Sequence, residues 1–557
     1  SAVQASTVTA AENSGGVDMT LGGTTVSGGK QDVTGSSGDD TFRVASANLD
    51  EDDTSIDAGD GADTLVLTNT GSGANATNFT TTNEVQPLAG LSNFEALSID
   101  ALELNVSDAF LDVFTGDEIN VVAQKGTNND STFDASGIVT STADINVDAS
   151  PIDVGGGSGA FTFSISNGTN TFVGGSNDDT VIVTQGGFLD SSSSLDGGDG
   201  DDTFRFDTDS ATVIQESQLT GVEDFSEIQF NHGADDKDNT FEATLSNAFG
   251  SANQDNGDLT ITTNDVGETT GDESFDIDAS DFSGAINVTA KLDGNSGTVN
   301  TLALGAGDDT VTFGAGTDSV TLGAGKDDVD FTVTGATKNT ITDFDFGTSS
   351  GSGSEVDQFD VSTLGLTGDA SVEIASTTDD GTATGGIAVL DSQARNDASE
   401  VDAALSDLYG TTSNQVFVLW QDGLNNVNFG VDSDTNSSDD TGSGITTLGV
   451  LDGLSISDVA SNIDLGDFEN ATGLVPAVSV ADLPVTGAFS LVDTAAELSG
   501  TATQTQLNTA FNITATTDAT VDQAGTGTGS DIQGAGNSGT TTYNVGDNLA
   551  ALTGEAG

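Results

Sequence analysis

Residues 304–331 read LGAGDDTVTFGAGTDSVTLGAGKDDVDF, one nine-letter phrase written three times without a gap. Leu304, Phe313 and Leu322 open the copies, and Asp309, Asp318 and Asp327 hold the sixth place of each. The phrase divides in two. GAGDD supplies glycines that take positive φ in a tight turn. TVT or SVT supplies a three-residue strand with a β-branched side chain at its centre. A turn plus a strand at a fixed period stacks turns on turns and strands on strands, which predicts a parallel β-solenoid. The expected interior ladder runs Leu302, Val311, Val320, Val329 and, after a three-residue insertion, Ile341. Asn300, Asp309, Asp318, Asp327 and Asn339 are expected to align along one edge.

The signature recurs upstream as GSSGDDTFRV from Gly35, AGDGADTLVL from Ala58, GGSNDDTVIV from Gly174 and GGDGDDTFRF from Gly197. Residues 34–67 superpose on 173–206 at an offset of 139 with 13 identities, an internal duplication. LSNFEALSI from Leu91 resembles LTGVEDFSEI from Leu219, and the Asp-Ala-Ser strands from Phe133 and Phe275 also match loosely.

The fold class expected is all-β, a parallel β-solenoid or β-roll with nonapeptide turns. Residues 1–30 form an N-terminal segment and candidate assembly strand, and residues 31–346 the repetitive body. Residues 347–470 form a mixed α+β cap. There NDASEVDAALSDLYG from Asn396 reads as a helix stopped by Gly410, and QVFVLW with NVNFGV as a hairpin. Residues 471–557 form a mostly-β C-terminal domain with a short helix at DTAAELSG and a candidate role in assembly or secretion.

Composition limits the partners. The chain has 557 residues, 90 Asp plus Glu against 9 Lys plus Arg, and a formal net charge of -81, so nucleic-acid phosphates would be repelled. Disorder is the bland alternative for so acidic a chain. Against it, the apolar fraction is 34% and falls in short Val, Ile, Leu and Phe runs at fixed spacing. Cysteine is absent, so disulfides supply no staple and metal ions are the remaining one. No apolar run is long enough to span a membrane. The opening SAVQASTVTAAENSGG lacks a charged region followed by an apolar core, and the expectation is export without such a signal or after its removal.

Calcium takes six to eight hard oxygen ligands from carboxylates, carbonyls and water. A GxGxD turn offers carbonyls and a carboxylate, about half a shell, and the turn two nonamers away offers the rest. The candidate ligands are Gly35, Ser37, Asp39 and Asp40; Asp57, Gly59, Asp60 and Asp63; Gly174, Ser176, Asp178 and Asp179; and Gly197, Asp199, Asp201 and Asp202. In the tandem run they are Gly305, Gly307, Asp308 and Asp309; Gly314, Gly316 and Asp318; and Gly323, Gly325 and Asp327. Thr334–Ile341 puts Lys338 and Asn339 in place of the turn acids, and no ion is expected there.

GGDGDDTFR at 197–205 fits the RTX nonapeptide pattern G-G-x-G-x-D-x-U-x at every defined position. The chain resembles RTX (repeats-in-toxin) proteins, most closely the RTX-bearing surface-layer (S-layer) proteins of Gram-negative bacteria, over roughly residues 30–460. ITDFDFG and VDQFDVSTL from Ile341 look like the segment that closes RTX regions, and the resemblance implies Asp343, Asp357 and Asp360 as further ligands. It also implies type I secretion, with the chain unfolded in low calcium and folded outside the cell. Long contiguous nonamer runs, common in RTX toxins, are missing, so calcium sites are expected to be scattered. DSDTNSSDD at 432–440 opens like a calcium loop, with Asp432, Asp434, Asn436 and Asp440 as candidates. Ser437 replaces the glycine an EF-hand needs and no Glu closes the loop; a polar hairpin tip and a terminal calcium site both stay open.

His232 is the only histidine and no nucleophile or zinc motif accompanies it, so a solvated loop residue is expected and an enzyme is not. Trp420 and Tyr409 read as cap core, and Phe42, Phe204 and Phe313 as inward strand positions. The function expected is an extracellular, calcium-dependent structural protein that self-assembles into a bacterial S-layer, with several calcium ions as cofactors. The alternative is a secreted adhesin or biofilm-matrix filament subunit. Expected partners are further copies of the chain, the type I secretion machinery, and cell-surface polysaccharide or lipopolysaccharide, with no nucleic acid and no membrane insertion.

Overall fold

The structure is a computed structural model. It describes residues 6–21, 31–45, 54–68, 90–100, 103–116, 118–123, 130–153, 159–208, 211–232, 240–255, 257–265, 274–292, 299–314, 316–331, 338–347, 356–366, 369–375, 383, 385–391, 393–410, 415–433, 435, 444–464 and 467–469, and in the tail 477–478, 490–493, 513–515 and 541–542. Asp434, Asn436, Asp440 and the expected helix at DTAAELSG lie outside the described residues. The chain divides into two units, Ser1–Asn287 and Val288–Gly557, a division that falls inside the stretch 31–346. Among the described residues no helix is long and apolar enough to cross a membrane.

In the first unit a nine-stranded parallel sheet runs from Asp18–Leu21 through Thr41–Ala45, Thr64–Thr68, Ala96–Asp100, Glu118–Ala123, Asp144–Asp148, Asn170–Val173 and Ser194–Asp196 to Val222–Glu223. The strands alternating with its first members form a four-stranded sheet, Ser6–Thr9, Gln31–Thr34, Thr54–Asp57 and Leu91–Ser92. Later coils alternate instead with strands such as Phe161–Ser164, Thr180–Val183 and Thr203–Thr208, also paired in parallel. The solenoid thus already includes residues 6–21, since Ser6–Thr9 pairs with Gln31–Thr34 and Asp18–Leu21 with Thr41–Ala45. Alternation puts every second side chain inward, and Phe42, Leu65, Leu97, Phe163, Phe172 and Phe204 are buried as that spacing predicts. His232 is not in a loop: it ends the strand Glu227–His232, whose backbone pairs it with Thr208 and Asp265.

In the second unit the tandem nonamers make two ladders, not the single one expected. Val311 faces Val329, which faces Phe359. Leu302 faces Val320, which faces Ile341. A turn of six residues and a strand of three reverses the chain, so one nonamer is half a coil and a rung returns after two. All six side chains are 0–1% exposed, and each contributes roughly 2 kcal/mol of burial. In the next inward row Phe313 stacks on Phe331 at 5.9 Å, and Phe331 lies 6.3 Å from Phe359.

The cap continues the second ladder: Asn339–Thr342 pairs in parallel with Ile445–Asp452, which pairs antiparallel with Val427–Asp432 and through it with Val416–Gln421. The helix Ala398–Tyr409 starts at Asp397, whose side chain accepts the Glu400 N–H, and stops at Gly410 with φ +64°. Leu405, Tyr409, Val418 and Trp420 share one buried cluster, as the sequence suggests.

Candidate metal centres in the stacked turns

Three pairs of Gly-Asp turns lie directly on one another: 35–40 with 58–63, 174–179 with 197–202, and 305–309 with 323–327. Each pair is held by two hydrogen bonds running in opposite directions. The fifth-place Asp of the earlier turn accepts the fifth-place N–H of the later one, Asp39 from Ala62 (3.0 Å), Asp178 from Asp201 (3.1 Å) and Asp308 from Lys326 (2.9 Å). The sixth-place Asp of the later turn accepts the sixth-place N–H of the earlier one, Asp63 from Asp40 (2.7 Å), Asp202 from Asp179 (2.6 Å) and Asp327 from Asp309 (2.9 Å). Hydrogen bonds of carboxylate to backbone N–H are among the stronger ones a protein makes, and this reciprocal clamp fixes the register of the turns.

The clamp needs the backbones very close. A methyl group on Gly323 (φ +102°) would lie 1.8 Å from the Gly305 carbonyl oxygen, and one on Gly198 (φ +92°) 2.5 Å from that of Gly175. Gly35 and Gly174 likewise abut the carbonyls of Ala58 and Gly197. Glycine is required at all four places for approach, and at Gly198 and Gly323 for φ as well.

Each clamped stack is closed by a residue of one short motif. LSNF, VEDF and ITDF put Asn93, Asp224 and Asp343 at φ +63°, +61° and +71°, each followed by a buried Phe94, Phe225 or Phe344. Asn93 donates to Asp57 (2.7 Å), Asp224 lies against Asp196 and Asp199, and Asp343 accepts the N–H groups of Leu322 and Gly323. Asn93 and Asp224 are missing from the sequence-based candidates. The apolar-x-Asn/Asp-Phe pattern would have found them.

The clamp commits Oδ1 of Asp63 and Asp202, and Asp309 Oδ1 accepts the Val288 N–H at 2.6 Å. Asp63, Asp202 and Asp309 are 0–1% exposed, and the second oxygen of each, Oδ2, has no hydrogen-bond partner. Burial, reinforced by neighbouring acids, pushes the Asp63 carboxyl up to about 6, Asp202 to about 8 and Asp309, Asp327 and Asp357 to about 7. Such oxygens require a proton or a cation. Among the described residues, no group of three or more acidic or histidine side chains converges to hold an ion alone. A resident ion would therefore draw most of its shell from turn carbonyls, as calcium accepts. The donor set fits calcium at Asp63, Asp202 and Asp309.

The remaining candidates separate. Gly314, Gly316 and Asp318 lie on the opposite edge, where Asp318 accepts from Asn300 (Nδ2, 2.5 Å) and donates its N–H to Asn339 (3.1 Å), so amides flank the acid. Gly323, Gly325, Asp343 and Asp357 line one cavity of about 460 Å³ together with Asp345 and Asp452, which the sequence reading did not select. Both Asp357 oxygens accept N–H groups, from Asp327 and Asp345. Asp360 Oδ1 accepts the Ser362 N–H in a local turn. Ser37 donates its N–H to the Asn13 carbonyl and Asp199 its N–H to the Gly175 carbonyl, and Asp60, Ser176 and Asp199 are exposed. Asp432 is fully buried at the end of its strand.

No family model, no curated protein and no solved structure matches this chain.

Proposed function

We propose that the protein is an extracellular, calcium-dependent structural protein that self-assembles into a bacterial surface layer. The observation that carries the reading is the set of buried Oδ2 atoms of Asp63, Asp202 and Asp309, each in a stacked Gly-Asp turn and each without a protein donor. Calcium supplies positive charge there. The chain's own part is to hold the carboxylates and turn carbonyls in register through the clamp and to exclude water with the Phe and Val ladders. Extracellular calcium sites commonly saturate at about 0.1–1 mM, so folding and association would follow export.

The test is chelation followed by far-ultraviolet circular dichroism and particle size, with electron microscopy of the calcium-treated protein. The reading expects loss of β signal and dissociation on chelation, recovery with calcium but much less with magnesium, and a two-dimensional lattice. Single filaments would favour an adhesin or matrix-fibre subunit. A chelated protein that stayed folded and assembled would refute the proposal.

A further inference from the structure

The sixth places of the turns form three columns that run beyond the clamped pairs. Each begins at an apolar residue whose N–H donates to the first acid: Val17 to Asp40 (2.6 Å), Phe161 to Asp179 (2.7 Å) and Val288 to Asp309 (2.6 Å). The clamp supplies the next link in each, from Asp40 to Asp63, from Asp179 to Asp202 and from Asp309 to Asp327. In two columns a third link reaches the residue that ends it: Asp63 donates its N–H to Glu95 Oε2 (2.7 Å) and Asp327 to Asp357 Oδ1 (3.1 Å). The second column ends differently, at Ser226, whose hydroxyl donates to the Asp202 carbonyl at 3.5 Å.

Strand register fixes this equivalence against the sequence likeness. Aligned as Leu-x-x-x-Glu, Glu95 would match Glu223. In the sheets Asp57 pairs with Ser92 and Asp196 with Glu223, and the N–H groups of Ala96 and Glu227 donate to the carbonyls of Asp63 and Asp202. Glu223 therefore corresponds to Ser92, and Glu95 to Ser226.

Glu95 is held as a fixed anion. Its Oε2 takes the Asp63 N–H and its Oε1 the Thr115 hydroxyl, so both of its oxygens are already engaged. It adds charge beside a carboxylate that lacks a donor, since Asp63 is fully buried with Oδ2 unpartnered. Asp357 is bonded in the same way, each oxygen accepting an N–H. Ser226 brings no charge to Asp202, which is equally buried and has the same unpartnered oxygen. An anion a few ångströms from a partly buried ion attracts it far more strongly than it would in water, and calcium affinity is tuned by the charge of the site.

We propose that Glu95 sets the affinity of the first metal centre, acting through its charge and through Asp63 rather than as a ligand, and that Ser226 withholds this contribution from the second. The inference rests on the calcium reading above and names the residue that tunes its site. The second stack carries acid elsewhere, with Asp224 against Asp196 and Asp199 where the first has the Asn93 amide on Asp57. Each stack is therefore compared with its own variant, not with the other stack.

The test is hydrogen exchange of the full-length protein across a calcium titration, read on peptides covering Thr64–Thr68 in the first stack and Thr203–Thr208 in the second. Glu95→Gln keeps an acceptor for the Asp63 N–H and removes the charge. It is expected to raise the calcium midpoint at Thr64–Thr68 about tenfold and to leave Thr203–Thr208 unmoved. Ser226→Asp is expected to lower the midpoint at Thr203–Thr208 by a similar factor, and Ser226→Asn, of the same size without the charge, to leave it at the wild-type value. An unchanged midpoint in Glu95→Gln, a shift shared by both peptides, or equal midpoints for Ser226→Asp and Ser226→Asn would each overturn the inference and leave the calcium reading standing. Wild-type exchange that ignores calcium at both peptides would overturn both.

Discussion

The stacked-turn argument predicts a large difference between two glycine-to-alanine changes that sequence alone would rank together. Gly323 and Gly453 both lie in the second unit with positive φ, +102° and +79°. An alanine at either costs about 1–2 kcal/mol for the left-handed backbone. At Gly453 nothing lies within 4 Å of the added methyl, whereas at Gly323 the Gly305 carbonyl oxygen lies 1.8 Å away and its carbon 2.9 Å away. The turns must then part by more than an ångström. That breaks the bond from Ala324 N–H to the Gly305 carbonyl and the clamp bond from Lys326 N–H to Asp308, both 2.9 Å. A neutral bond contributes about 1 kcal/mol and one to a carboxylate about 2. Gly323→Ala therefore costs about 3 kcal/mol more than Gly453→Ala, roughly a hundredfold in an opening equilibrium. Native-state hydrogen exchange on peptides from 304–331, measured for both variants in calcium, reads the difference. Equal protection in the two variants would refute direct turn-on-turn stacking.

Calcium-free stability should depend on pH in the direction set by the buried acids. Asp202, Asp309, Asp327 and Asp357 are raised by burial from 3.8 to between about 7 and about 8, so the folded state holds their protons more tightly than the unfolded chain. That stabilisation is complete below 3.8 and is lost as pH rises through 7 to 8. Melting without calcium should fall over that window and with saturating calcium should not; a flat calcium-free profile contradicts the assignment. Asp202→Asn keeps an Oδ1 acceptor for the Asp179 N–H and removes the unpartnered charge. It should melt higher than wild type at pH 8 without calcium and gain less on calcium addition, and a lower calcium-free melting point would count against it. Tyr409→Phe leaves the Gly385 carbonyl without its 2.6 Å donor and should cost the cap about 1–2 kcal/mol in denaturant unfolding, with calcium affinity unchanged. Chelation should raise exchange at Thr310–Phe313 and Asp328–Phe331 before Ser319–Thr321, because the acid-on-acid edge leads into the first two strands and an amide-flanked acid into the third; uniform exposure would contradict this.

Much of this arrangement is written in the period. Nine residues divide into a turn with obligatory glycines and a strand with one buried centre, so Val311, Val320 and Val329 read as core and Asp309, Asp318 and Asp327 as turn acids. What the period does not state is the phase between neighbours. One nonamer reverses the chain, and that places Val311 with Val329 and Leu302 with Val320. The helix at Ala398–Tyr409 is legible because Asp397 and Gly410 are local signals. The strand position of His232 is not legible because its backbone is held by pairing to Thr208 and Asp265, a tertiary effect. The clamp was invisible because fifth and sixth acids both suit a turn, and only stacking shows that they reach across it in opposite directions.

That clamp also separates two roles that the acid content runs together. Asn170 fills a sixth-place position without charge: its Oδ1 accepts the Ser166 N–H at 3.0 Å, and its own N–H donates to Ser193 at 3.0 Å. Asn339 Oδ1 likewise accepts the Asp318 N–H at 3.1 Å, whereas Asn300 donates its Nδ2 to Asp318. Register therefore needs an acceptor at that place but not an anion. If stacking were the whole purpose, asparagine would serve at 63, 202 and 309 as well, and would spare the fold a buried, unpartnered oxygen at each. Retaining aspartate there costs stability in a chain without cations and returns it only when positive charge arrives. The physical content of the proposal is thus confined to the few turns where the cheaper amide is not used.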